Sequence, residues 1–135
     1  MIRVVLDTNI LVSAGISEGG DCDQILQAAL RGEFRLVVCP GIADEYLDVL
    51  HRSKFTRYGF PPAWVRQLLM AAEQFSADPL ELPKAPDPVD RIFLGLAQIA
   101  GLLVTGNLKH FPKEHWGAAR VLSPREFLLE NFHWV

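Results

Sequence analysis

Short apolar runs alternate along this chain with longer segments in which apolar residues recur every three or four positions. Residues 2–6 form a compact β-branched run that reads as a buried strand, and residues 34–39, 102–105 and 119–122 read the same way. Thr8-Asn9, directly after the first run, begins a helical turn. Residues 23–30 place Ile25, Leu26, Ala29 and Leu30 on one helical face, with Gly32 as the stop. Pro40-Gly41 turns the chain into a helix carrying Ile42, Tyr46, Val49 and Leu50. Pro61-Pro62 opens another, in which Trp64, Val65, Leu68, Leu69, Ala72 and Phe75 make one stripe. Four of the nine prolines fall between Pro79 and Pro88, so this stretch is a loop in which residues 80–82 form at most a very short strand. Asp87 reads as an N-cap with Pro88 at the first helical position, and that helix runs to about Ala100, where Gly101 ends it. Ser123-Pro124 starts a final short helix.

Apolar strands alternating with helices predict an α/β fold, a mainly parallel central sheet with helices on both faces. A length of 135 residues fits a single domain spanning residues 1–135. Half of the residues are hydrophobic, enough for a packed core, which excludes wholesale disorder. Cys22 and Cys39 lack CxxC spacing and make no disulfide framework, in keeping with a reducing compartment. No run reaches the roughly 20 apolar residues that span a bilayer, and no leader-like segment is visible. The expected location is cytoplasmic, with no membrane partner. The net charge of -3 argues against a protein that coats nucleic acid with a broad basic surface.

In an open parallel sheet, ligands bind outside the carboxyl ends of the strands. Four polar groups from four separate elements fall on that edge. Asp7 ends the first strand, and Glu45 lies early in the helix after the second. Asp90 sits in the first turn of the helix after the proline-rich loop, and Thr105-Gly106-Asn107 ends the strand at 102–105. Taken singly, Asp7 suits a helix cap as well as a ligand, and Asp90 suits the exposed amides near the start of its helix. Glu45 shares the core-facing stripe of Ile42, Tyr46 and Val49, where a glutamate needs an ion-pair partner or a metal. Three converging carboxylates repel one another by about 4 kcal/mol per pair at 4 Å and an effective dielectric near 20. A cation or a shared proton relieves this. Oxygen-only ligands select Mg²⁺ or Mn²⁺, ions that activate water and stabilise charge on a phosphate being cleaved. The four histidines show no zinc spacing, and no GxSxG or P-loop pattern is present.

Val4-Val5-Leu6-Asp7-Thr8-Asn9 resembles the opening of PIN-domain nucleases. Glu45 within residues 44–50 resembles the second acid of that family, Asp90 within residues 87–94 the third, and residues 103–112 the fourth motif. The match is nearest to stand-alone PIN toxins of toxin–antitoxin pairs. The resemblance implies a three-layer α/β/α sandwich and a Mg²⁺- or Mn²⁺-dependent endoribonuclease. It also implies a homodimer silenced by a small antitoxin protein. Asp7, Glu45 and Asp90 are then the catalytic metal ligands, with Thr8, Asn9, Thr105 and Asn107 orienting water or ligands around them. Many PIN proteins carry Asp where this chain has Asn107, which leaves three acids and keeps open an alternative, a catalytically weakened module that binds RNA or protein. A phosphohydrolase using Asp7 as phosphate acceptor is a third possibility, although the second Asp of a DxD opening is missing. Basic residues with interleaved aromatics lie beyond two of the acidic elements, and Arg52 and Lys109 are the candidate RNA contacts.

Overall fold

A computed structural model describes residues 1–80 and 87–132. Five parallel strands form one sheet: β1 (Arg3–Leu6), β2 (Arg35–Val38), β3 (Glu73–Gln74), β4 (Leu102–Val104) and β5 (Arg120–Leu122), in the order β3-β2-β1-β4-β5. Successive strand residues face opposite sides of a sheet. Val4, Val5 and Leu6 in the central strand are all fully buried, so both faces are covered. The covering helices are α1 (Thr8–Ile16), α2 (Asp21–Leu30), α3 (Pro40–Leu50), α4 (Trp64–Ala71), α5 (Pro88–Ala100) and α6 (Pro124–Asn131). Helix α5 packs on β1, β2 and β4 beside α3, while α2 packs against α1, α4 and α6. The result is an α/β/α sandwich.

The chain passes from β1 outward through β2 to β3, then returns across the sheet to β4 on the other side of β1. Strand order therefore reverses between β1 and β4, and the carboxyl ends of these two strands flank the crevice where such folds bind ligands. The register pairs Leu6 with Val104, which brings Asp7 and Thr105 side by side at the rim of that crevice.

Several sequence expectations are met closely. Asp87 caps α5, its side chain accepting a hydrogen bond from Val89 N at 2.8 Å, and Gly101 closes the helix with φ +100°. Ser123 and Glu126 form a reciprocal capping box on α6. Others need correction. Thr8-Asn9 begins a helix of nine residues, not a single turn. The fifth strand lies at Glu73–Gln74, parallel to β2, while Leu80 is fully exposed and outside any strand; residues 81 and 82 lie outside the described residues. Helix α4 stops at Ala71, so Phe75 is not on its stripe. Phe75 instead follows β3, where its amide donates to the Val38 carbonyl at 2.9 Å.

Candidate active site

Asp7 is 8% exposed at the seam of β1 and β4, and its amide donates to the Val104 carbonyl at 2.9 Å. It occupies the N-cap position of α1, yet its side chain accepts no capping hydrogen bond. The carboxylate turns to the crevice instead. There Oδ2 accepts from Thr105 Oγ1 at 2.7 Å and from Asn9 Nδ2 at 3.2 Å. Asn9 reaches across the same seam, its Oδ1 accepting from Gly106 N at 3.1 Å. Thr105, itself fully buried, also accepts from Asn107 N at 3.0 Å. The loop after β4 is thus sewn to the start of α1 with Asp7 at the centre.

Glu45 on α3 and Asp90 on α5 lie within electrostatic reach of Asp7. Burial is the first cause of a raised pKa in all three acids. For Asp7 the Thr105 hydrogen bond, the Thr8 amide and His110 act in the opposite direction. Glu45 is raised further by the charges of Asp48, Asp87 and Asp7 and lowered by Arg52. Asp90, with 13% of its side chain exposed, is pushed up to about 6 by burial and by Asp7, Asp87 and Glu45, against a lowering by His110. The acids therefore feel one another's charge. Among the described residues, however, no three His, Cys, Asp or Glu side chains are gathered closely enough to hold one ion between them. Like charges without a counter-ion favour that separation.

Of the remaining sequence candidates, Thr8 is buried, and its Oγ1 is the one buried side-chain oxygen or nitrogen without a hydrogen-bond partner among the described residues. Asn107 does not touch Asp7 through its side chain, whose Nδ2 lies 3.0 Å from His110 Nε2. Arg52 is exposed and pairs with Asp48 at 3.1 Å, and Lys109 is exposed beside the crevice. Two residues have roles that sequence reasoning missed. Tyr46 reads as plain core, but its buried hydroxyl donates to the Leu6 carbonyl, bracing the backbone immediately before Asp7. A buried tyrosine needs such a partner, which was the available signal. His110 reads only as one of a basic group, but its Nδ1 stands 3.6 Å from Asp90 Oδ2.

The PIN-domain family profile matches residues 3–109, and the chain belongs to the PIN-domain family. PIN domains are generally nucleases, and they typically use divalent metals. A search of curated proteins finds no match. Among the described residues, no helix is long and apolar enough to cross a membrane.

The raised value of Asp90 carries a stability consequence. Its carboxyl titrates near 6 in the folded chain against 3.8 without the fold. The folded state therefore binds the extra proton between these values. The associated stability is present below the lower value and lost as pH rises through about 6. In chelator, Asp90→Asn is expected to melt above the parent at pH 8 by an amount equivalent to about 1–2 kcal/mol after solvent screening. At pH 4 the two melting curves should nearly coincide. Equal melting temperatures at both pH values would contradict the burial argument.

Proposed function

We propose that this PIN domain is a metal-dependent endoribonuclease in which Asp7, Glu45 and Asp90 form the catalytic edge. The observation that carries this reading is Asp7. A carboxylate at the strand-order switch is buried, declines its capping role and is held toward the crevice by Thr105 and Asn9. That arrangement raises the energy of the charged form and is explained by a cation that the carboxylate serves. The donor chemistry fits a hard ion. Three carboxylates with raised pKa values suit Mg²⁺ or Mn²⁺ and their water shell. Asp7, Glu45 and Asp90 would hold the ion. When bound, it would supply an activated water and offset charge building on the phosphate.

The chain's own groups do the positioning. Thr105 and Asn9 fix the Asp7 carboxylate, Tyr46 fixes the backbone behind it, and His110 stands against Asp90. Arg52 and Lys109 would meet the phosphates of an RNA strand entering between α3 and the loop after β4. In this reading the protein is a cytoplasmic toxin that forms a homodimer and is silenced by a small antitoxin protein.

The test incubates purified protein with single-stranded RNA. Internal cleavage is expected in Mn²⁺ or Mg²⁺, to stop in chelator and to return on re-addition of the ion. RNA binding that survives chelator, with no cleavage in either ion, would assign the chain instead to a weakened binding module. Asn107 in place of a fourth acid is the feature that favours that second reading.

A further inference from the structure

We propose that the loop from Thr105 to His110 is a brace joining two of the acids, in which Asn107 fixes the tautomer of His110 so that the imidazole Nδ1–H positions Asp90. His110 is then a positioning residue, and the proposal rests on the nuclease reading above only for its kinetic consequences.

The brace follows from the local fold. The segment Leu108–His110 is one 3₁₀ turn, closed by His110 N donating to the Asn107 carbonyl at 3.1 Å. A turn of this type eclipses side chains three residues apart, and so Asn107 and His110 meet, with Asn107 Nδ2 3.0 Å from His110 Nε2. The amide nitrogen has only donors to offer, which makes Nε2 the acceptor. In the neutral ring the proton then sits on Nδ1, the nitrogen that faces Asp90 Oδ2 at 3.6 Å. At the other end of the loop, the Asn107 backbone N–H donates to Thr105 Oγ1, and that hydroxyl donates to Asp7. A short loop therefore holds Asp7 with a hydroxyl and sets an imidazole 3.6 Å from Asp90, a separation that a small closing movement on loading the site would turn into a hydrogen bond. The brace also accounts for the amide at position 107. A carboxylate there would accept from Nε2–H, turning the lone pair of Nδ1 toward Asp90, or would demand a charged ring.

Two kinds of measurement test the brace. The first is independent of nuclease activity. Long-range ¹H–¹⁵N spectra of histidine-labelled, metal-free protein at pH 8 are expected to show His110 with its proton on Nδ1, and Asn107→Ala to move it largely to Nε2. A wild-type ring protonated on Nε2 would overturn the proposal. The second is kinetic. His110→Ala is expected to lower kcat by about 10–100-fold, with KM for RNA changed less than about twofold. His110→Asn, which keeps a donor near the place of Nδ1, should recover most of the loss. His110→Gln, whose donor reaches the place of Nε2, should not. A raised KM with kcat intact would make His110 an RNA contact and refute the brace, as would equal rescue by Asn and Gln. More than half of the His110 side chain is exposed, so these variants leave the core untouched. A wild-type protein without nuclease activity would refute the function proposed above, and the tautomer measurement would still decide the brace.

Discussion

Asp7→Asn is expected to reduce RNA cleavage by about 1,000-fold at saturating Mn²⁺, a loss of about 4 kcal/mol of transition-state stabilisation. The substitution is close to isosteric. Its remaining oxygen can still accept from Thr105 Oγ1 and Asn9 Nδ2, so the start of α1 and the loop after β4 stay joined. What disappears is a buried negative charge that the surroundings already disfavour. The melting temperature in chelator should therefore hold or rise while activity falls. That opposite movement separates loss of chemistry from loss of fold. Cleavage within about tenfold of the parent would leave the carboxylate without its assigned role.

The largest effect on stability is expected at Phe93. Its ring is 1% exposed on α5, one turn after Asp90, with its centroid 6.1 Å from that of Tyr46. Phe93→Ala removes the ring from a region that cannot collapse freely, because Tyr46 beside it is itself fully buried. Such truncations cost about 3–5 kcal/mol. For a chain of this size that corresponds to a melting temperature lower by about 10–20 °C. Tyr46 would lose a packing partner at the same time, so its grip on the Leu6 carbonyl, and with it the placement of Asp7, should loosen. Thermal melts and residual cleavage at low temperature read the two consequences separately. A shift of less than about 3 °C would mean that α5 is not anchored through this ring.

How much of this was legible in the sequence depended on whether the signal was local. The helix from Pro88 to Ala100 was readable at both ends because Asp87, Pro88 and Gly101 carry their own backbone chemistry. Strands β1, β2, β4 and β5 were readable as apolar runs, since a parallel sheet buries both faces. Strand β3 was not. Glu73 and Gln74 are polar, and they are strand residues only because they pair with Val37 and Val38. Glu73 at this edge is held by Arg3, whose Nη2 lies 2.6 Å from Oε2, a contact seventy positions apart in sequence. Helix α1 was underestimated for a related reason. Val12, Ser13 and Gly15 are weak helix formers, and the helix is secured by packing on α2 and α3 rather than by propensity.

The site divides in the same way. Asp7, Glu45 and Asp90 could be proposed from sequence because strand ends and the early turns of the following helices map onto one edge of a parallel sheet. The contact between Thr105 and Asp7 followed from the same rule once β1 and β4 were neighbours. The roles of Tyr46 and His110 were not legible, because each depends on where one side-chain atom ends relative to a distant element. The net charge of -3 is also resolved by the fold. Asp7, Glu45 and Asp90 act on one another through their charge, while Lys109 and Arg52 stand exposed in the segments after β4 and α3. Such a surface suits a narrow path for one strand better than broad coating of nucleic acid.

The most direct test of the central claim is anomalous diffraction from crystals grown with Mn²⁺. A peak within coordination distance of carboxylate oxygens of Asp7 and Asp90, with Glu45 bound directly or through water, is the expected result. It should vanish in Asp7→Asn crystals grown under the same conditions. Manganese found only elsewhere on the chain, or a crevice still holding three separated carboxylates at saturating Mn²⁺, would contradict the account.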